Sequence, residues 1–275
     1  MLRKCARITA ILLALAMLAG LLAVSGGAAG EQTIEAMFSG CKGGGRSNLS
    51  LKLEGDTATF SYSPLFYVER DFPGYDPLTD GDVENIVAMC VAGFKQWEGE
   101  YQVRGRTLTL AVNVDAAMAA SKSKATVLVV PPNDDGIAGQ ASFSPLFWKP
   151  NRTTKITLFP HDPLYEWYYA GTPAHEFGHA LGLNDAYSYS GFYHSDNFFG
   201  LVVNLLFDFA QPEAPDYRAP WDAIMRGSWR GAAIYDRDVE MVLWAWKHGK
   251  FQLYTESVLM YLFPWFELSP VFFNQ

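Results

Sequence analysis

An α/β or α+β fold is what this sequence predicts, with α+β the class adopted: a twisted mixed sheet, a helix running under it, and a mostly helical C-terminal part. Two observations lead there. Alternating or β-branched stretches fill 49–63, 106–114, 125–132, 136–143 and 153–160, with the two-residue period of strands. Helical spacing of apolar residues interrupts them at 83–97, returns after residue 172, and recurs at 235–250. The order is therefore strand, helix, three or four strands, helix, which is a sheet layered on helices.

Each element has its own signal. "LSLKLEGDTATFSYS" alternates on both sides of Glu54-Gly55-Asp56 and reads as a hairpin. "FPGYDPLTDGD" is rich in turn residues. Val83, Ile86, Val87, Cys90, Phe94 and Trp97 then fall on one helical face, with Asp80 or Asp82 as cap and an end near Gly99. "GIAGQASF" (136–143) contains glycines and reads as an edge strand. The next helix starts with Thr172 as N-cap and Pro173 at its first position. In the last helix Asp236 caps the start, Val239, Val242, Leu243 and Trp246 form the stripe, and Gly249 ends it. "DNFFGLVVNLLFDFA" (196–210) is apolar nearly all round but too short to span a bilayer. The aromatic tail 251–275 is expected to pack back on the core.

The chain of 275 residues is 49% apolar and 15% aromatic, enough for an ordered core. Its first 30 residues read as a secretory signal peptide: a basic "MLRKCAR", an apolar Ile8–Val24 stretch, and small residues around Ala29 and Gly30. An uncleaved signal anchor is the alternative, with no other membrane insertion expected. Losing Arg3, Lys4 and Arg7 with that segment takes the formal charge from −8 to −11. A chain this acidic is not built for nucleic acid. Cys41 and Cys90 could pair in an oxidising compartment or stay as separate thiols. Asn48 and Asn151 sit in N-x-S/T triplets. Residues 31–56 form an N-terminal segment of open role, followed by one domain over 57–275 that divides near residue 182.

The chemistry concentrates in "TPAHEFGHALGLND", residues 172–185. Residues four apart share one helical face, so His175 and His179 can aim both imidazoles at one ion. Glu176 stands beside them as a carboxylate able to reach a water rather than the ion. A catalytic zinc commonly takes a third protein ligand and leaves a position open. Gly182 can end the helix in a left-handed conformation and turn the chain back, which makes Asp185 the candidate third ligand. An aspartate there leaves the site one unit less positive than a third histidine would. His194 is the rival third ligand, whereas His161 and His248 read as surface or boundary histidines.

"HEFGHALGLND" resembles the extended zinc signature of the metzincin metallopeptidases, HExxHxxGxxH/D, in the variant with aspartate as third ligand. The resemblance implies zinc on His175, His179 and Asp185, with Glu176 as general base and acid. It also implies a methionine-containing turn beneath the metal, for which "PWDAIMRGSW" offers Met225. The zinc-binding tyrosine that some members carry two residues later is replaced by Gly227. An edge strand lining the cleft matches "GIAGQA", with Gly139, Gln140 and Ala141 pairing to an extended peptide. The resemblance spans about 57–250, and no inhibitory propeptide is recognisable, although Cys41 could in principle cap the zinc.

The function expected from these residues is that of a secreted zinc-dependent endopeptidase acting on protein or peptide substrates. The alternative is a catalytically silent, zinc-stabilised extracellular binding module. A thermolysin-like arrangement with a distant glutamate ligand is disfavoured by Gly182 and Asp185. Trp221, Phe207 and Tyr217 suggest an apolar pocket between the zinc helix and 215–229. Oligomeric state is not readable.

Overall fold

The computed structural model describes residues 32–40, 48–132, 138–143, 153–183, 185–186, 219–227, 231–249, 252 and 254. The expected hairpin forms where the alternation places it. Strand β1 (Leu49–Glu54) pairs antiparallel with β2 (Thr57–Tyr62). Gly55 supplies the positive φ, 59°, that so tight a turn requires. A second hairpin lies outside the expectation. The strand foreseen at 106–114 is β5 (Arg106–Val114), and it folds back on β4 (Gly99–Val103). Arg104 and Gly105 both take positive φ, 53° and 78°, the signature of a type I′ turn. Arginine is an unusual residue there, so the turn carries a weak local signal.

β2 and β5 run parallel and continue, past Pro64 and Ala116, into β3 (Leu65–Val68) and β6 (Ala117–Met118). The ladder persists across the break: Asp115 N–H donates to the Tyr62 carbonyl at 2.8 Å and Ala117 N–H to the Pro64 carbonyl at 3.1 Å. The result is a bent mixed sheet in two sections. One has the order β1-β2-β5-β4, the other β6-β3-β7-β9-β8. In the second, β7 (Val127–Val129) and β9 (Thr153–Leu158) are parallel, and β8 (Gly139–Phe143) closes the described edge antiparallel to β9. Thus the described part of "GIAGQASF" is an edge strand among the described residues, and 136–137 lie outside them.

A short helix α1 (Ile34–Met37) precedes the sheet, and α2 (Asp80–Phe94) covers it and ends in a 3₁₀ turn, Lys95–Trp97. Its cap corrects the expectation: Thr79, not Asp80 or Asp82, is the N-cap. Asp82 sits three residues in and takes the Thr79 N–H at 2.8 Å, so the two make a reciprocal capping box. Two further helices are α3 (Glu166–Tyr169) and α4 (Thr172–Leu181). The last, α5 (Asp236–His248), starts after Tyr235 and stops at left-handed Gly249. Asp236 is its first residue, not its cap, because its carboxylate is turned away to accept the Gln102 N–H at 2.8 Å.

Phe177 of α4 shows what holds the layers together. It is fully buried between Tyr62 of the sheet and Phe94 of α2, each ring centroid 5.2 Å away. Burying one such side chain stabilises by about 1.5–3 kcal/mol. Cys90 is a buried free thiol on α2, with burial pushing its pKa up. It is therefore a core residue rather than half of a disulfide, and Cys41 lies outside the described residues. So do the signal segment 1–30, the apolar stretch 196–210 and most of the C-terminal tail, of which Gln252 and Tyr254 are buried. No helix among the described residues is long and apolar enough to cross a membrane.

The N-terminal segment enters this same core. Ile34 and Phe38 are fully buried, and Phe38 meets the Trp244 ring of α5 edge-on at 4.9 Å. The turn of the β1–β2 hairpin is bonded to α1 in both directions, Glu35 N–H to the Gly55 carbonyl and Gly55 N–H to the Glu35 carboxylate, each 2.8 Å. A chain beginning at residue 57 would lose β1 and both buried side chains together. We expect it to show no cooperative thermal transition by circular dichroism, in contrast to residues 31–275; a cooperative melt at a similar temperature would refute this packing.

Candidate metal centre

Helix α4 is clamped along its length by its neighbours. A Cβ at Gly93 of α2 would come within 2.8 Å of the Pro173 side chain, so glycine permits the close approach. The Trp97 indole N–H donates to the Ala174 carbonyl at 2.9 Å. Gly178 lies directly on the Met225 sulfur, with Trp97 beside it. The N-cap is Gly171, one residue before the expected Thr172. Thr172 instead buries its side chain, whose methyl faces Gly139 of the edge strand, so it cannot turn back to cap.

The helix ends as the glycine spacing predicts. Gly182 has φ 108°. Its N–H donates to the His179 carbonyl at 3.1 Å, and Leu183 N–H to the Gly178 carbonyl at 3.1 Å, the two bonds of a Schellman motif. The chain then reverses, and Asp185 returns to the histidines. Its Oδ1 lies 3.1 Å from His175 Nε2 and 3.3 Å from His179 Nε2. All three side chains are buried.

Both imidazoles are oriented from behind. His175 Nδ1 lies 2.7 Å from the Ile224 carbonyl and His179 Nδ1 2.9 Å from the Leu183 carbonyl. A carbonyl can only accept, so each Nδ1 carries a proton and each Nε2 is left to face Asp185, as an N–H donor while the ring is charged and as a lone pair when it is neutral. The Ile224–Arg226 turn holds both sides of the site: Ile224 fixes the first ring, and the Met225 carbonyl accepts the Ala186 N–H at 2.9 Å, next to Asp185. Fully buried Met225 packs its sulfur against Gly178, on the helix that carries both histidines.

The ligand atoms of these residues lie within 4.8 Å of one another, and they could form a metal-binding site. A metal about 2.0–2.2 Å from each of two tetrahedral ligands separates them by about 3.3–3.6 Å. The two nitrogen-to-carboxylate distances are close to that spacing. Without a metal, charges do the work. Burial opposes the charged form of His179, but the Asp185 and Glu176 carboxylates override it and raise its pKa to about 9. His175 is raised by the same balance. Burial would raise Asp185, yet the two imidazoles hold it well below the usual carboxylate range.

Glu176 is buried beside this group and its Oε2 has no hydrogen-bond partner among the described residues. Burial pushes its pKa above the ordinary value, and the two histidines only partly offset that. Gly139 of β8 crosses directly over it: a Cβ there would lie 2.6 Å from Glu176 Oε1. The structure thus brings the edge strand to the carboxylate, a contact no local pattern shows. The Ile224 carbonyl was likewise invisible in the sequence, because only tertiary folding brings that main-chain oxygen to the His175 ring.

Other expected residues stand apart. His161 is exposed, His248 stacks on Trp244 at 5.3 Å, and His194 lies outside the described residues. Trp221, expected to line an apolar pocket, is 74% exposed in the turn before Ala223. Phe207 and Tyr217 fall outside the described residues. Compared with family models, curated proteins and solved structures, the chain gives no match.

Two outcomes follow from this geometry. Gly182→Ala must hold a left-handed φ and place its Cβ 2.6 Å from the Ala245 methyl. We expect a loss of about 2–4 kcal/mol in denaturant unfolding and at least a tenfold weaker metal affinity by competition with a chelating dye; unchanged values in both would contradict the turn. The second concerns pH. With His179 raised from about 6.5 to about 9, its ion pair stabilises the metal-free fold fully below about pH 6.5 and is lost as pH rises through 9. The Tm of metal-free protein should fall between pH 7 and 9, and metal should flatten that slope by holding the imidazoles neutral. A metal-free Tm that stays level or rises over this interval would count against the pairing.

Proposed function

We propose that this protein is a secreted zinc-dependent endopeptidase of metzincin type. The observation that carries the reading is the buried Glu176 carboxylate, one oxygen of which has no hydrogen-bond partner among the described residues, set between a two-histidine, one-aspartate group and a sheet edge. A donor set of two imidazoles and one carboxylate suits zinc. His175, His179 and Asp185 would hold it. When bound, it would supply a Lewis acid and a site at which water becomes acidic.

The chain's own residues divide the remaining work. Glu176, its pKa raised by burial, accepts a proton from the attacking water and returns it to the departing amine. The Ile224 and Leu183 carbonyls keep the imidazoles in the tautomer that ligates. The edge strand would hold an extended peptide. Phe159 N–H donates to the Ala138 carbonyl at 2.9 Å, which makes Ala138–Phe159 a hydrogen-bonded pair of the β8–β9 ladder. By the alternation of an antiparallel ladder, Gln140 pairs inward with Thr157, while the main-chain groups of Gly139 and Ala141 face the open edge. Of the three expected binding residues, these two would donate and accept, and Gln140 would present its side chain.

The decisive comparison uses residues 31–275 loaded with zinc beside Glu176→Ala, both assayed on a peptide library. We expect one zinc per chain in each, cleavage by the parent, and a turnover lower by about 10²–10⁴ in the variant. Equal turnover would remove Glu176 from its role. Bound zinc with no cleavage by the parent would make the site a silent binding module instead.

A further inference from the structure

The residue just before Gly139 is held by a side chain for which the expected machinery has no use. Tyr168 lies on α3, three residues ahead of the cap of the metal helix. Its hydroxyl donates to the Ala138 carbonyl and accepts the Phe159 N–H at 2.9 Å. The Ala138 carbonyl thus takes two donors, the phenol and the Phe159 N–H. This pair is the first rung of the β8–β9 ladder, and that rung decides which groups of β8 turn inward. Burial, the largest influence, keeps the Tyr168 phenol protonated well above its ordinary pKa, so it remains a donor throughout the neutral range.

We infer that Tyr168 is a positioning residue for the peptide-binding edge, tying the start of β8 to the short helix α3 that leads into α4 and so keeping Gly139 and Ala141 outward. The inference rests on the peptidase reading for its substrate, but not for its geometry. Three features meet at one place. The clamp acts on Ala138, the next residue lies against Glu176, and the one after that is bonded inward. If the clamp is absent, the Ala138–Phe159 rung keeps only its main-chain bond while the turn at Ile224–Arg226 and the Gly182 reversal keep their own hydrogen bonds. Substrate pairing along the edge should weaken with the metal site intact. Neighbouring Trp167 on the same helix is 45% exposed and makes no such contact with β8, which supplies a control.

The test compares zinc-loaded residues 31–275 with Tyr168→Phe, which keeps the ring and removes only the hydroxyl, and with Trp167→Ala. Amide hydrogen exchange over 138–143 and 153–159 reads the clamp. The ratio of kcat/KM for an extended peptide to that for the same peptide trimmed on the side that pairs with β8 reads its consequence. In Tyr168→Phe we expect exchange over 138–143 to quicken, exchange over 172–186 to stay unchanged, zinc stoichiometry to hold, and the advantage of the longer peptide to shrink about tenfold, mostly through KM. A merely structural role would lower both peptides alike, and that result overturns the inference. So does unchanged exchange at the edge, or an equal effect from Trp167→Ala. If the parent cleaves nothing, the peptidase reading fails while the exchange comparison still decides whether Tyr168 holds the strand.

Discussion

The reversal of the chain at Gly182 is the constraint on which the rest of the site depends. The two histidines come from one helix and need no tertiary help to share a face. The aspartate does, because the helix axis carries it away unless the chain turns back within three residues. A left-handed φ of 108° makes that turn, and the Ala245 methyl, 2.6 Å from where a Cβ would sit, excludes any other residue without a shift. α5 seals the end from outside: the Trp246 indole N–H donates to the Leu181 carbonyl at 3.0 Å. Gln252 N–H adds a bond to the Gly182 carbonyl at 2.9 Å, so the chain beyond α5 also braces the turn.

Opposite charges balance in the buried group. Two carboxylates and two imidazoles are buried together, and each would be costly alone. Asp185 is held ionised by the histidines, while Glu176 is left with one unpartnered oxygen and a raised pKa. The asymmetry gives two carboxylates of different character a few residues apart. One suits holding a cation, the other suits taking and returning a proton. Gly139 contributes by absence, since a side chain there would occupy the space of the Glu176 carboxylate.

The sheet explains why the strand and the helix meet. β2 and β5 bend past Pro64 and Ala116 into a second section whose outer described strand is β8, and α4 packs beneath that section. α2 lies alongside α4, so Phe177 is gripped between sheet and helix and the metal helix has little freedom to rotate. N-terminal residues 33–38 take part in the same core, which makes the segment before the first strand a structural element.

The sequence by itself determined the parts whose geometry is local. The period of four put His175 and His179 on one face, Gly182 signalled the helix end, and alternation drew the β1–β2 hairpin, β5 and the edge strand. Helix caps were legible only to within a residue or two: Asp80 pairs with Arg70, Asp236 accepts the Gln102 N–H and Thr172 packs on Gly139, while Asp82 serves the Thr79 capping box from inside the helix. The β4–β5 turn was missed because arginine carries half of its positive φ. Tertiary structure alone decided which carbonyls orient the imidazoles, that Met225 lies under Gly178, and that Gly139 crosses Glu176. Apart from the Leu183 carbonyl on His179, four positions away, these contacts join residues tens of positions apart, and several are made by main-chain oxygens or by the lack of a side chain. Neither leaves a pattern in one sequence, because every residue has a carbonyl and a glycine looks the same wherever it approaches its neighbour.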